Sequence, residues 1–429
     1  MAAAFVRGAE ACVRLLPGRH RRVAAGHPWV YATEVAGVEG EFAPGDLVRV
    51  VDARGRFLGR GYANPASQIL VRLLTRDPEE RVDRDFFRRR LAAALEYRRR
   101  VAPKAEACRL VFGEADFLPA LIVDRFGPYL VLQTLALGID RFKDLVVEVL
   151  VELVQPRGIY ERNDVNVRGL EGLELRTGYL YGEFDPLVTF VEHGLRFAAD
   201  LARGQKTGFF LDQRENRLAL KDLAPGARVL DAFCYTGAFA LHAALFGARE
   251  VVGVDIAPAA VDLAREHARL NGLADRCRFY AANAFDELRR LAAAGEKFDL
   301  VILDPPAFAR KKADQKQAAR AYRELNRLAM TRMKPGSWLL TFSCSYYIDR
   351  EMFQKIIFQA ALEAGREARI IQRHRQALIA RFARTAPPAP ASGTRDARER
   401  VASHTWGRAE QTNQTARTHP VEISSGRAA

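Results

Sequence analysis

Several common features are missing from this 429-residue chain, and each absence narrows what it can be. Its five cysteines, Cys12, Cys108, Cys234, Cys277 and Cys344, include no Cys-x-x-Cys pair. That removes the usual zinc-ligand spacing, and no metal is expected. An odd number of cysteines in a long chain also argues against a disulfide framework, so reduced thiols in a cytoplasmic protein are expected. No run of about 18 apolar residues occurs, so no membrane-spanning helix is expected. The opening segment, MAAAFVRGAEACVRLLPGRH, has no apolar stretch long enough for a signal peptide. The phosphate-cradling pattern Gly-x-Gly-x-x-Gly is absent, which argues against a dinucleotide ligand. Internal repeats are absent too.

What is present is a large apolar fraction and an excess of positive charge. Apolar residues make up 49% of the chain, and Lys plus Arg total 66 against 52 Asp plus Glu, a net charge of +14. The length suits roughly two or three domains. The charge favours a polyanionic partner such as nucleic acid, because each phosphate contact releases counterions.

Three ordered regions and a tail are expected. Residues 12–76 hold short β-type runs (LVRVVD, FLGRGYA, ILVRLL) broken by Gly, Pro and Asn, which predicts a small β-barrel. Arg14, Arg19, His20, Arg21 and Arg22 make its first segment basic. Residues 81–188 open on RVDRDFFRRRLAAALEYRRR, a helix whose apolar stripe is Phe86, Phe87, Leu91 and Leu95, with eight arginines around it. Strands LPALIVDRF and YLVLQTLAL, a helix near 143–153 and a strand near 158–162 complete a compact α/β unit. In residues 190–376, VLDAF, EVVGVD, CRFYAA, FDLVILD and SWLLTFS read as buried parallel strands with helices between them. That alternation predicts a doubly wound, Rossmann-like α/β sheet.

Ligands of such sheets sit at the carboxyl ends of the strands. The first strand ends in Asp231-Ala232-Phe233-Cys234-Tyr235-Thr236-Gly237, where small residues let the backbone approach a ligand. The second ends at Asp255, 24 residues after Asp231, placed to accept both hydroxyls of a ribose. Ala282-Asn283-Ala284-Phe285 follows the third strand, and Asp304-Pro305-Pro306-Ala307-Phe308 ends the fourth. In this order the motifs resemble those of class I S-adenosylmethionine methyltransferases. The resemblance implies that the first loop cradles the methionine part, Asp255 takes the ribose, Asn283 meets the adenine amine, and the Asp-Pro-Pro turn faces the base being methylated.

Upstream lies GQKTGFFLDQRENR, residues 204–217, a long and specific block. It resembles the signature of the large-subunit ribosomal RNA methyltransferase I group, which makes 5-methylcytosine in 23S rRNA. The likeness continues in DAFCYTGAFALHAA, VDIAPAAVDLAREHARLNGL, FDLVILDPPAFARKK and FSCSYYI. It extends to the middle blocks GEADFLPALIVDRFG and IYERNDVNVRGLEGL, and to LLPGRHRRVAAGHPWVY, which is similar to that group's PUA domain. It spans roughly residues 12–376. By this resemblance Gln213 and Arg214 join the cofactor residues, and Lys206, Arg19, Arg21, Pro305, Pro306 and Phe308 are expected on the RNA side. One departure is Asn283, where relatives carry Asp; the amide oxygen still accepts, without charge to strengthen the bond. The oligomeric state is left open between monomer and homodimer.

Cytosine C5 is a poor nucleophile, and a thiolate adding to C6 makes it an enamine-like one. Cys344, in Ser343-Cys344-Ser345 just past the fifth strand, is the expected nucleophile. Asp304 is expected to bond the cytosine amine or protonated N3 as charge develops. A guanine-modifying enzyme and a noncatalytic RNA-binding factor are the alternatives; Cys344 argues against the first and the intact cofactor loop against the second. The segment from about Leu378 is rich in Arg, Thr, Ala and Pro. From Arg381 onward it has no leucine and a single isoleucine, so it is expected to be a disordered tail. The family's sheet has a seventh strand between the fifth and sixth. Here that strand is expected to be missing, and the abrupt change in composition suggests a reading-frame change in the gene.

Overall fold

The computed structural model of the protein describes residues 10–309 and 311–373, and the backbone of 421–426. They form two compact units. One is built from residues 10–103 and 109–184, the other from 104–108, 185–373 and 421–426.

In the first unit, six strands form one sheet: Cys12–Leu15, Trp29–Tyr31, Val35–Glu39, Leu47–Val51, Phe57–Ala63 and Ile69–Thr75. Val48 and Val50 point into its core while Arg49 between them is exposed, the period-two pattern of a half-buried strand. A second, five-stranded sheet carries Leu121–Phe126, Tyr129–Thr134 and Gly158–Asn163. Glu171 ties the two sheets together. Its buried side chain accepts from Asn64 Nδ2 (3.0 Å) and Ser67 Oγ (2.6 Å) and pairs with Arg72 at 2.9 Å. The arginine-rich helix, Arg84–Val101, is capped by Asp83 and buries Phe86, Phe87, Leu91 and Ala94. Its arginines are less available than the sequence suggests. Arg98 is buried against Asp116, Arg84 and Arg88 share Glu152, and Arg89 pairs with Glu80.

The second unit opens with a hairpin, Leu187–Glu192 with Leu195–Asp200, and continues into a seven-stranded sheet. Its strands are β1 (Arg228–Asp231), β2 (Glu250–Asp255), β3 (Cys277–Ala281), β4 (Phe298–Leu303), β5 (Met333–Thr341), β6 (Glu367–Arg373) and β7 (Val421–Gly426). The order is β3-β2-β1-β4-β5-β7-β6. The first five are parallel, and β7 runs antiparallel to both neighbours. Between them lie α1 (Ala238–Leu245), α2 (Pro258–Leu270), α3 (Ala284–Ala293), α4 (Gln315–Thr331) and α5 (Arg350–Glu363). Leu230, Val252, Val301 and Leu339 form the middle of the core with residues of α3 to α5. Strand order reverses beside β1, so the carboxyl ends of β1, β2 and β4 border one crevice, where ligands of such sheets bind. Among the described residues no helix is long and apolar enough to cross a membrane.

The seventh strand corrects one sequence expectation. Val421–Gly426 fills the place between the fifth and sixth strands, with Leu339 opposite Ile423 and Arg369 opposite Ser424. A strand flanked on both edges gains two ladders of backbone bonds, so VEISSG can hold its place without the long apolar run that marks a strand in sequence. The expected disorder of the rest of the tail concerns residues outside those described. Removing residues 421–429 should lower the melting temperature by several degrees and speed hydrogen exchange along the β7-facing edge of β5. Unchanged exchange there would show that β7 does not pair in solution.

Candidate active site

The loop after β1 is shaped by two left-handed residues. Tyr235 has φ +47° and Gly237 φ +83°. A Cβ on Gly237 would lie 3.0 Å from the Ala264 methyl and 3.2 Å from the Phe279 ring, so the position demands glycine for space as well as for conformation. Asp255, at the end of β2, holds the loop: its Oδ2 accepts from Tyr235 N (2.8 Å) and its Oδ1 from Ala257 N (3.0 Å). From the other side, His267 of α2 donates through Nδ1 to Thr236 O (2.9 Å) and accepts from Ala198 N at Nε2 (2.8 Å). Burial lowers its pKa, which suits a neutral ring with one donor and one acceptor.

Three carboxylates border this loop. Asp231 is buried; Oδ2 accepts from Ala240 N at 3.1 Å, while Oδ1 is buried without a partner. Burial, then the charge of Asp304, pushes its pKa up to about 8. Asp304 keeps some accessible surface but is hemmed in by protein, and burial followed by the charge of Asp212 raises it to about 7. Asn283, expected at the adenine, is exposed and caps α3, its oxygen accepting from Phe285 N at 2.9 Å and Asp286 N at 3.4 Å. Phe233 is half-buried against the core, and Thr236 Oγ1 is a second buried atom without a partner.

The block 204–217 wraps the same crevice. Gln213 is 1% exposed; its Nε2 donates to Asp304 Oδ2 (3.0 Å) and its Oε1 accepts from Asn216 (2.5 Å). Lys206, in a left-handed conformation at φ +54°, pairs with Asp212 at 3.1 Å and lies 4.4 Å from the centre of the Phe210 ring. Gln205 N donates to the Tyr235 hydroxyl at 3.0 Å, joining block and loop. Arg214 pairs with Glu215. Arg217, which sequence reasoning did not single out, is fully buried. It grips both oxygens of Glu192 at 2.6 and 2.9 Å and donates twice to Phe210 O at 3.2 Å. Arg217 follows the polar run Asp212–Asn216, so the sequence held no signal that it would be buried; burial of its charge requires the carboxylate partner that Glu192 supplies.

Cys344 follows β5. Its Sγ donates to Pro305 O at 3.4 Å, so thiol and Asp-Pro-Pro turn are in contact. Burial, followed by the charge of Asp304, pushes the thiol up to about 12. Pro305 is buried, Pro306 exposed and Phe308 half-buried against Tyr322. Cys234 is a packing residue of the loop, with burial holding its thiol protonated. The structure thus brings together Asp231, Phe233, Tyr235, Thr236, Gly237, Asp255, Gln213, Asp304, Pro305 and Cys344 at one end of the sheet. Arg19 and Arg21 belong to the other unit, where both are exposed.

Among the described residues, Glu192, His193 and His242 have metal-ligand spacing, their ligand atoms lying within 4.8 Å of one another. Most of their polar atoms have partners, although His193 Nε2 is buried without one. Arg217 takes both Glu192 oxygens, and His242, which donates from Nδ1 to Ala238 O (2.7 Å), has Nε2 only 3.2 Å from His193 Nδ1. Through Glu192 the cluster anchors Arg217.

Comparison with known proteins agrees with this arrangement. Residues 13–76 match the profile of a PUA-like domain, and residues 174–364 that of an S-adenosylmethionine-dependent methyltransferase. The chain is 44% identical over 369 residues to "Ribosomal RNA large subunit methyltransferase I" of Shewanella amazonensis, covering 85% of this chain and 93% of the relative. It is 42% identical over 367 residues to the protein of the same name from Escherichia coli O127:H6, with the same shares covered. Among solved structures, a putative methyltransferase complexed with SAH superposes with a TM-score of 0.76 at 19% identity, covering 96% of this chain and 99% of the other. A putative SAM-dependent methyltransferase from Streptococcus mutans gives 0.74 at 18% identity with the same coverage. At these identities the superpositions speak to fold alone. On its 41–44% identity to curated relatives along most of its length, this chain belongs to the ribosomal RNA large subunit methyltransferase I family of S-adenosylmethionine-dependent methyltransferases.

Proposed function

We propose that this protein methylates cytosine C5 in large-subunit ribosomal RNA, with Cys344 as the nucleophile. The observation that carries this reading is the contact between the Cys344 thiol and the Asp304-Pro305-Pro306 turn, at the sheet end where the cofactor loop also lies. The relatives' name supplies the RNA, and the chain's charge of +14 suits it.

The residues present fit S-adenosylmethionine. Its ammonium and sulfonium are cationic, and the crevice offers Asp231 with an unpartnered buried oxygen, beside Asp304 and Asp255. The loop from Asp231 through Phe233, Tyr235, Thr236 and Gly237 would hold the methionine part, Asp255 the ribose and Asn283 the adenine edge, with Gln213 and Arg214 flanking. The absence of a Gly-x-Gly-x-x-Gly cradle agrees with a cofactor that has no phosphates. When bound, S-adenosylmethionine supplies an electrophilic methyl group.

The protein's own part is to activate the base. Cys344 gives its proton to solvent and bonds through sulfur to C6 while N3 takes a proton from Asp304. Once C5 is methylated, its hydrogen leaves to solvent as a proton, the C5–C6 double bond re-forms, the thiolate is expelled and N3 returns its proton to Asp304. Burial raises the thiol to about 12, so it is protonated at neutral pH and must be deprotonated before it attacks. Asp304, raised to about 7, is substantially protonated near neutrality and can donate to N3 as negative charge builds on the ring. Gln213 fixes its orientation. Pro305, Pro306 and Phe308 shape the face met by the ring, and Lys206, Arg19 and Arg21 are assigned to the RNA.

Cys344→Ser should reduce methyl transfer to rRNA fragments by roughly 10³-fold or more while leaving cofactor affinity unchanged. Nucleoside analysis of the product is the direct check: full activity in that variant, or methylguanosine in place of 5-methylcytidine, sinks the cysteine mechanism. Asp255→Ala should weaken cofactor binding by roughly 1.5–3 kcal/mol, the scale of lost bonds to a charged acceptor. Unchanged affinity by calorimetry would mean that the carboxylate does not hold the ribose. The third expectation concerns protons. A cationic ligand favours the ionised form of Asp231, whose pKa without it is about 8. Binding at pH 7 should therefore release protons, and affinity should rise as pH goes from about 6 to about 8. Calorimetry in buffers of different ionisation enthalpy reads the release directly, and no release would contradict a carboxylate-lined cation site.

A further inference from the structure

Tyr322 lies on α4 in a stripe with Ala318, Leu325 and Ala329, the spacing of an ordinary core face. Its ring packs 4.7 Å from Phe308 and edge-on to Phe353 at 5.5 Å, and the residue has no exposed surface. Phenylalanine would serve that packing as well. What the packing does not explain is the hydroxyl, because a buried phenol is costly unless it is bonded. It lies 2.9 Å from Ser345 Oγ. Ser345 Oγ in turn accepts from Ala309 N at 3.1 Å. Ser345 N donates to Ser343 Oγ at 3.4 Å. Both serines are buried, and Cys344 stands between them.

These bonds connect three elements. Helix α4 supplies the phenol, the strand end after β5 supplies Ser345, and the far end of the Asp304–Ala309 turn supplies an amide. The near end of that turn is touched by Cys344 itself, through Pro305 O. We propose that Tyr322 is a positioning residue for Cys344, its hydroxyl acting through Ser345 to hold the Ser-Cys-Ser strand end against the Asp-Pro-Pro turn. The inference rests on the reading of Cys344 as nucleophile. Burial pushes the phenol up to about 12, so it stays protonated and able to bond throughout the neutral range. Without the strut, thiol and Asp304 keep their chemistry but lose their fixed separation. A misplacement of about 1 Å can cost on the order of 10²-fold in turnover.

The test compares Tyr322→Phe, Ser345→Ala and the double variant in the full chain. Three quantities are read: kcat and KM on an rRNA fragment, S-adenosylmethionine affinity, and the rate at which iodoacetamide alkylates the Cys344 peptide. In Tyr322→Phe, kcat should fall about 10- to 100-fold, with KM and cofactor affinity within about twofold. Cys344 should be alkylated at least about threefold faster, because its thiol is no longer held in place. The double variant should match Ser345→Ala alone, as expected of residues acting through one bond. An unchanged kcat, or an alkylation rate no faster than wild type, overturns the proposal. If Tyr322→Phe does not fold, Ser345→Ala carries the same two criteria. The nucleophile reading fails separately, through an active Cys344→Ser. Failure of the strut alone leaves Cys344→Ser inactive and Tyr322→Phe like wild type.

Discussion

Two carboxylates at the ends of neighbouring parallel strands set the terms for the rest of this site. β1 pairs with β4 so that Asp231 stands opposite Ile302, which brings Asp304, two residues on, to the same end of the sheet. Each is pushed far above the usual carboxylate range, burial acting first. An unfolded chain ionises both near pH 4, whereas the folded one resists until about 7 to 8, so together they cost the fold stability as pH rises through that window. The surrounding bonds answer to this crowding. Gln213 donates to one carboxylate and Ala240 to the other, Lys206 lends a nearby charge, and one Asp231 oxygen stays unmatched. A protein that keeps such a cost at a crevice has a place for a cation.

The scaffold that holds this end in shape lies behind it. Arg217 and Glu192 are both buried and bonded twice to each other, and Arg217 also secures Phe210, so the 204–217 block cannot move independently of the hairpin. His267 joins the same hairpin to the loop after β1. Removing one partner of such an ion pair strands a buried charge, typically at a cost of about 3–5 kcal/mol, which makes the pair a strong constraint on register even where its net contribution is small.

The sheet was readable in advance because its strands are buried on both faces, and buried parallel strands appear as short runs of Val, Ile and Leu between glycine-rich turns. That Asp231, Asp255, Asp304 and Cys344 stand at one end of the sheet was readable because each follows a predicted strand. Other features were hidden by their surroundings. Arg98 looked like one of many surface arginines until Asp116 was found beside it. Tyr322 sits on an apolar stripe, where nothing distinguishes a working hydroxyl from a packed ring. Asn283 reads as a ligand contact by motif, but an Asn before a helix is also a cap, and here it is one. The seventh strand was missed because strand recognition relies on apolar composition, whereas Val421–Gly426 is placed by pairing along both edges.

That strand has a consequence for the order in which the protein is made. β5 and β6 leave the ribosome with a gap between them, and β7 is translated only after the long stretch that follows Arg373. β1 to β5 can pair with one another while synthesis continues, but β6, whose sheet neighbour is β7, and the edge of β5 that leads to Cys344 stay open until β7 follows. Pairings between such distant segments are also the slow ones to form. The nascent chain therefore passes through a stage in which the crevice beside β1 is assembled and the strand that leads to Cys344 is still unsupported on one side.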